Sequence, residues 1–256
     1  MILPRDVFPH SGGHRDSLFS QVVDRVAIAI VSGEIAAGEV IPNESTIFGA
    51  TTVSRSVFRE AVKYLSGKGL IEARPKSGTR AAPVSSWNLL DPDVLRWSLS
   101  AGANEKFIHD LYELRSFIEP NVARLAALRR TEEQAQALRL AYVGMATTPP
   151  ASPDNIRHDL RFHELLIESC GNDALMRLKG VVITTLMWAM SLQVGKTTAD
   201  YVSALGDHRR VMEAVLNREG ERAQTVMSVL VHDALHETLE KFRARKGPMT
   251  FRTAAE

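Results

Sequence analysis

Acidic and imidazole side chains in the second half of the chain are spaced so that they can share one metal ion. Asp159 and His163 are four residues apart, so both point from one face of a helix toward the same place. His208 opens a later helical segment, and His232 follows on the next one. A carboxylate with three imidazoles suits Zn²⁺, Mn²⁺, Ni²⁺ or Fe²⁺ better than Ca²⁺ or Mg²⁺, which prefer oxygen. The spacing therefore makes a divalent transition metal site, most simply for zinc, one hypothesis for these residues.

Two alternatives remain open at this site. His236 shares a helix face with His232, so either of them can supply the fourth ligand. His158, next to Asp159, points about 100 degrees away on a helix and is a poor candidate. The competing interpretation is that the histidines are hydrogen-bonded core residues without a metal.

An arginine upstream provides a candidate anion site. Arg115 lies in a long segment whose apolar positions predict a buried helix face, and a buried guanidinium is costly without an anion. A small carboxylate could bind the metal and Arg115 together. The alternative is an internal pair with Glu119, four residues on. Trp188 is a second candidate effector residue, because its ring could stack on a sugar acid; a plain core tryptophan is the alternative.

The same metal ligands could serve a helical-bundle metalloenzyme acting on a small carboxylate. The sequence lacks the other parts of such enzymes, namely paired Glu-x-x-His motifs, a Gly-rich phosphate loop and a Gly-x-Ser-x-Gly turn. We therefore predict a protein that is not an enzyme.

Basic charge is concentrated in one stretch, although the whole chain has a net charge of only +1. Residues 1–51 carry three basic and six acidic side chains, whereas residues 52–80 carry seven basic and two acidic ones. An arginine-bearing helix start followed by a basic hairpin is typical of a winged helix-turn-helix, and arginine there can fork onto guanine O6 and N7. Solvated charges on an ordinary helix and hairpin are the alternative. The candidate DNA-binding residues are Ser54, Arg55, Ser56, Arg59, Arg74, Lys76, Ser77 and Gly78.

The elements that position these residues form two groups, which predicts a mainly α fold. Residues 1–16 read as a flexible arm, and residues 17–83 as the winged helix-turn-helix, with Asn43 and Ser54 capping its second and third helices. Residues 84–92 read as a linker. Residues 93–246 predict an all-α helical bundle for effector binding and dimerisation, followed by a tail at 247–256. Helices are expected near 92–101, 104–129, 132–146, 155–170, 173–194, 198–217 and 219–245, and wing strands near 70–73 and 79–82.

The composition argues against a disulfide-bonded protein and against a membrane-spanning one. Cys170 is the single cysteine among 256 residues, so no intrachain disulfide can form and a reducing, cytoplasmic location is expected. The longest apolar stretch, around 180–190, is too short to span a bilayer. We therefore expect no membrane partner.

The order of motifs resembles the GntR family of bacterial repressors. The matching segments near the start are 41–44, 53–61, 69–72 and 78–79; those downstream, 113–115, 118–120, 159–163 and 207–210, resemble its FadR-type subfamily. Residues 87–97 are similar to the interdomain segment of galactonate-type sugar-acid repressors. One departure is that Ser45 and Thr46 follow Glu44, where family members usually carry an arginine or aspartate and several use that arginine on DNA. We therefore expect the DNA contacts to come from Arg55 and Arg59 and not from the second helix.

The resemblance implies a repressor with a helical effector domain that binds metal through one aspartate and three histidines, and it points to Arg115 as an effector residue. We expect the protein to leave its operator when a small carboxylate such as a sugar acid binds. One winged unit makes few DNA contacts, so we also expect a homodimer on an inverted repeat of double-stranded DNA.

Overall fold

The computed structural model describes residues 17–49, 53–74, 78–192 and 198–244. The chain divides into two compact units that meet between Ala103 and Asn104. The described part of the first contains three α-helices, a two-stranded hairpin, a 3-10 turn at Val84–Ser86 and a further α-helix, and the described elements of the second are all α-helices. The predicted fold class, mainly α with an N-terminal winged helix-turn-helix and a helical bundle, is confirmed.

The N-terminal unit begins with α1 (Leu18–Val31), α2 (Glu44–Phe48) and α3 (Arg55–Gly67). Side-chain caps set where the last two helices begin. Asn43 Oδ1 accepts from the backbone nitrogen of Thr46 at 3.0 Å, and Ser54 Oγ accepts from that of Val57 at 3.3 Å. Both caps were predicted from the sequence.

The wing is an antiparallel hairpin of β1 (Ile71–Arg74) and β2 (Gly78–Ala81), shifted by one residue from the strands expected. Val40 forms an isolated antiparallel bridge with Arg80, which joins the segment before α2 to β2. Strand β2 is therefore paired on both sides, by β1 and by the segment around Val40.

The structure corrects the expected linker at 84–92, which is fastened to the N-terminal unit. The backbone nitrogen of Asn88 donates to the carbonyl of Lys68 at 3.1 Å. A β-carbon at Gly69, where φ is +82°, would lie 2.1 Å from the carbonyl oxygen of Ser86. The chain after the wing therefore presses against the turn that follows α3, and only glycine permits that approach.

Helix α4 (Pro92–Gly102) also belongs to the N-terminal unit, and not to the bundle as expected. Val94 and Trp97 are buried in the core around α1 and α3. The Trp97 indole nitrogen donates to Asp24 of α1 at 2.7 Å. The hydrophobic pattern of residues 93–101 was predicted correctly as a helix, but a pattern alone does not say which core buries it.

A buried ionic cluster ties α4 to α3. Lys68 Nζ lies 2.7 Å from Asp91 Oδ2 and 3.0 Å from Asp93 Oδ2, and the Tyr64 hydroxyl donates to Asp93 at 2.8 Å. Burial lowers the pKa of Lys68, but its two carboxylate partners outweigh that effect and raise the pKa above its usual value. The boundary between units therefore falls after Ala103, about ten residues later than the sequence suggested.

The described residues of the C-terminal unit, 104–192 and 198–244, form seven helices. The expected single helix at 173–194 is two, because the chain turns after Met176 and restarts at Lys179. The other helices begin and end within two residues of the expected positions. The helices are α5 (Glu105–Arg129), α6 (Glu132–Thr147), α7 (Pro153–Ser169), α8 (Asp173–Met176), α9 (Lys179–Ser191), α10 (Thr198–Leu216) and α11 (Gly220–Ala244).

The two longest helices of the bundle, α5 and α11, pack antiparallel. Ion pairs lie near both of their ends, between Arg124 and Glu221 at 2.6 Å and between Arg243 and Glu105 at 2.6 Å. Helix α9 is buried around its whole circumference from Val181 to Met190, as expected for the centre of a bundle. Among the described residues, no helix is long and apolar enough to cross a membrane.

Candidate functional site

The start of α3 presents the side chains predicted to read DNA. Ser54, Arg55, Ser56 and Arg59 are exposed, whereas Phe58 between them is buried in the core. The helix therefore has an apolar face that fixes it to α1 and a polar face at its first two turns. This arrangement is what a recognition helix needs, because its N-terminal residues contact base edges in the major groove.

Arg55 is the most prominent of these residues, with its side chain 91% exposed. Its Nε lies 3.3 Å from Glu44 Oε1 on α2, a surface ion pair that contributes little to stability. Ser45 and Thr46, which depart from the family pattern, donate their hydroxyls to Asn43 Oδ1 at 2.8 and 2.9 Å. These two hydroxyls reinforce the cap of α2.

The described residues cover only part of the predicted wing contacts. Lys76 and Ser77 lie outside them, and of Arg74 only the backbone is described, paired with Gly78. Gly78 has a φ of +78°, and its Cα faces open space. A glycine is suited to that position by its backbone conformation.

The C-terminal unit brings together three of the four predicted metal ligands. Asp159 Oδ1 lies 3.6 Å from His163 Nε2 and 3.5 Å from His208 Nε2, and the two imidazole nitrogens are 3.4 Å apart. The aspartate and first histidine are one turn apart on α7, and His208 comes from α10. The three donor atoms thus form a nearly equilateral triangle.

The size of this triangle fits a transition ion. A tetrahedral ion with bonds of about 2.1 Å holds neighbouring ligand atoms about 3.4 Å apart. His163 and His208 are buried, at 2% and 6% exposed, and mixed imidazole and carboxylate donors are those that zinc and related ions favour. The residues present therefore fit a divalent transition ion. They also provide an outer partner, because His163 Nδ1 lies 2.9 Å from Glu119 Oε2 on α5.

Glu119 links the candidate metal site to Arg115. Its second oxygen, Oε1, accepts from Arg115 Nε at 2.5 Å, and both side chains are buried. Burial would raise the pKa of the Glu119 carboxyl, but Arg115 and His163 outweigh that effect and hold this pKa at about 2. Likewise burial lowers the pKa of His208, and the Asp159 carboxylate more than offsets it, so that this pKa is raised. The Arg115–Glu119 ion pair considered from the sequence is present, and it uses only the Nε atom of the Arg115 guanidinium.

The Nη1 and Nη2 atoms of Arg115 are buried and have no hydrogen-bond partner among the residues that the structure describes. The guanidinium also lies over the ring of Tyr112, with Cζ 4.6 Å from the ring centroid. Burial raises the pKa of Tyr112, whose hydroxyl is 2.6 Å from Thr238 Oγ1. Arg115 is thus held by its Nε and by ring contact, with the two nitrogens that can fork onto a carboxylate left unused.

Arg115 and the three metal-ligand candidates line one cavity of about 460 Å³. This volume is typical of sites for small ligands. The wall is completed by α9, α10 and α11, and it contains more acidic than basic side chains. Its other charged residues are Asp207, Asp233, Glu237, Glu240 and Lys241.

Two predicted site residues are not part of this group. His232 was the expected fourth ligand, but its side chain is 67% exposed and it does not line the cavity. The face of α11 that lines the cavity includes Leu230, Ala234 and Lys241. His232 is two positions after Leu230, so its side chain points about 200 degrees away from Leu230 around the helix. His236, the alternative ligand, lines the cavity without joining the cluster of Asp159, His163 and His208.

Trp188 is the second residue that the structure does not bring into the site. It is 3% exposed, packs near Phe242 with ring centroids 6.4 Å apart, and is absent from the cavity wall. The structure therefore places Trp188 in the core of the bundle and not in the cavity wall.

The sequence analysis missed the contact of Glu119 with the candidate metal site, because it treated Glu119 only as a helix partner for Arg115. A signal was present, because Glu119 follows Arg115 by one turn on a face that is otherwise apolar. A second buried charge on such a face needs its own partner. His158, as expected, points elsewhere: a β-carbon on Gly144 of α6 would lie 2.3 Å from its Nδ1.

Comparison with known proteins agrees with both halves of this description. Residues 18–80 match the family described as bacterial regulatory proteins, gntR family, and residues 110–233 match the FCD domain. The galactonate operon transcriptional repressor of Escherichia coli (strain K12) is 28% identical over 213 residues, covering 81% of this chain and 93% of that protein. The Uxu operon transcriptional regulator of the same strain is 29% identical over 202 residues, covering 74% of each chain.

Among solved structures, that of Lar, reported as controlling expression of the Listeria monocytogenes agr system, aligns with a TM-score of 0.63. Its sequence is 15% identical, covering 88% of this chain and 98% of that one, so the likeness concerns the fold. The exposed arginine-bearing helix, the wing and the two matched domains lead to one assignment. The chain is a DNA-binding transcriptional regulator, not an enzyme, and belongs to the GntR family with an FCD domain as its C-terminal part.

Proposed function

We propose that this regulator is a repressor that leaves its operator when a small carboxylate binds in the bundle cavity. The observation that carries the proposal is Arg115, which lines the cavity with two buried nitrogens unpaired among the described residues. An unsatisfied buried guanidinium is costly, and its planar fork matches a carboxylate. An anionic ligand would restore both missing hydrogen bonds.

The remaining wall supports a sugar acid, an aldonate or a uronate, as the effector. Asp207, Asp233 and Ser203 offer oxygen atoms that can accept hydrogen bonds from hydroxyl groups. The excess of acidic side chains disfavours a second carboxylate on the ligand. The name of the galactonate operon repressor, a relative over most of the chain, points to the same ligand class.

We further propose that Asp159, His163 and His208 hold a divalent transition ion, zinc in the first instance, with manganese, nickel and iron as alternatives. When bound, such an ion supplies positive charge and open positions for an oxygen ligand. Glu119 contributes by fixing the orientation of His163 through its Nδ1. The chain's own residues thus position two cationic centres, the ion and Arg115, on one cavity.

Metal content tests this part of the proposal. Purified protein should carry about one divalent transition ion per chain, and a chelator should remove it and lower the melting temperature, because ligands from two helices lose their common tie. His163→Ala should abolish the bound ion, while His158→Ala should retain it. An absence of metal, together with unchanged melting after chelation, would leave the three residues as core side chains.

On the DNA side, we propose a cytoplasmic homodimer that places two copies of α3 on an inverted repeat, with Arg55 and Arg59 on bases and the wing, including Lys76, on phosphates. The effector response must then pass from the bundle to the winged units. Because residues 84–92 and α4 are fastened to the N-terminal unit, the joint that transmits it is expected at 103–104. Light scattering that finds a monomer with full operator affinity would contradict the dimer.

A further inference from the structure

Two histidines that the proposed metal site leaves out form a close pair on α11. His232 and His236 are one helical turn apart, and their Nε2 atoms are 3.1 Å from each other. The rings are tilted by 64° with centroids 4.5 Å apart, so the two imidazoles lie side by side with their Nε2 atoms close together. The pair is exposed to solvent and is not part of the cluster of Asp159, His163 and His208.

The separation of the two nitrogens suits a shared metal ion. An ion with metal–nitrogen bonds of about 2.1 Å holds two neighbouring ligands about 3.0 Å apart at a right angle and about 3.4 Å apart at a tetrahedral angle. The observed 3.1 Å falls between these values. Because both residues belong to one regular helix, no change of backbone conformation is needed to bring the two nitrogens together.

The neighbouring carboxylate favours the tautomer that a ligand needs. His232 Nδ1 lies 3.2 Å from Asp233 Oδ1, so a proton on Nδ1 can be donated to the carboxylate. With the proton there, Nε2 of His232 is left as the acceptor, or the metal ligand, facing His236. The carboxylate also adds negative charge beside the pair, which favours a cation.

We propose that His232 and His236 form a second, exchangeable site for a late divalent transition ion, Cu²⁺, Ni²⁺ or Zn²⁺. Two imidazoles with open positions for water or a ligand suit these ions. His236 also lines the effector cavity, so the site lies at the edge of that cavity. An ion there would place positive charge beside the acidic residues Glu237 and Glu240 of the same wall. This proposal does not depend on the buried metal site or on the identity of the effector.

Nickel binding to the full chain tests the site. The protein is stripped with a chelator and dialysed to equilibrium against Ni²⁺ at neutral pH, and bound nickel is measured by elemental analysis. Wild type should hold one more nickel ion per chain than either His232→Ala or His236→Ala. His109→Ala, which removes a single exposed histidine on α5, is the matched control and should bind as wild type does.

A second comparison separates this site from the buried one. In the His163→Ala background, removal of His236 should still reduce bound nickel by one ion per chain, whether or not the buried site binds metal. Nickel should also raise the unfolding midpoint of wild type more than that of His232→Ala. Equal nickel content in wild type, His232→Ala and His236→Ala would show that the two rings only hydrogen-bond to each other.

Discussion

The two units of the molecule place the arginines proposed to bind DNA and the effector in opposite environments. Arg55 of the DNA-reading helix is 91% exposed in its side chain, with one weak partner at 3.3 Å, whereas Arg115 of the bundle is 1% exposed and shares a buried carboxylate. An exposed arginine can adjust to phosphates and bases, but salt screens it. A buried arginine is fixed in position and little screened. The comparison suggests that the DNA surface gains affinity from long-range charge, and the effector site from preorganisation.

The largest effect that would sharpen this comparison is expected at Glu119. Glu119→Ala should lower the free energy of unfolding by about 3–5 kcal/mol, because it leaves the Arg115 charge buried without a partner. Glu113→Ala, an exposed glutamate on the same helix, is the control and should change it by no more than about 0.5 kcal/mol. Urea unfolding measures both. Similar values for the two variants would mean that the buried pair is not essential to the bundle.

Substitutions on the proposed DNA-binding surface should lower the affinity for DNA and leave the stability of the fold unchanged. Arg55→Ala should weaken operator binding by about 1–3 kcal/mol and relax its sequence preference, with unfolding unchanged. Lys63→Ala removes the same charge from an exposed position further along α3. It should weaken binding to the operator and to scrambled DNA by similar amounts, both smaller than the loss of operator binding in Arg55→Ala. Fluorescence anisotropy with operator and scrambled DNA distinguishes the two. Base recognition by Arg55 is excluded if both variants lose the same affinity on both DNAs.

A smaller effect, on the stability of α4, tests whether this helix belongs to the N-terminal unit. Tyr64→Phe removes one hydrogen bond to Asp93 and should cost about 1 kcal/mol, seen as a roughly fivefold faster amide exchange in α4. Helix α5 should exchange as in wild type, since it belongs to the other unit. Tyr142→Phe, a substitution of the same type within the bundle, should leave α4 unchanged. If α4 and α5 respond together to Tyr64→Phe, the boundary at 103–104 is wrong.

Local patterns and long-range contacts explain how much the sequence could predict. The caps at Asn43 and Ser54 and the turn-spaced pair Asp159 and His163 depend on residues three or four apart, so the sequence predicts them directly. The meeting of His163 with His208 depends on how α7 packs on α10, and here the family resemblance supplied what spacing could not.

The predictions for His232 and for α4 were wrong because tertiary packing decides which face of a helix lines the cavity and which of two cores buries a helix. His232 and His236 are one turn apart on α11, so the sequence alone does not say which of them faces the cavity. In the structure α11 is rotated so that Leu230 and Lys241 line the cavity and His232 does not. Likewise the apolar positions of α4 fit either unit. The deciding contacts, Trp97 with Asp24 and Lys68 with Asp93, join residues far apart in the chain.

The central claim, that Arg115 in the bundle cavity recognises the carboxylate that releases DNA, is tested most directly by Arg115→Lys. Lysine keeps the charge beside Glu119 but loses the planar fork, so the fold is preserved more safely than with alanine. Operator release is followed by fluorescence anisotropy while a panel of aldonates and uronates is titrated. Wild type should be released by at least one of them, and Arg115→Lys should bind the operator equally well but need at least about tenfold more of that acid. Release of both proteins at the same concentration would contradict the claim.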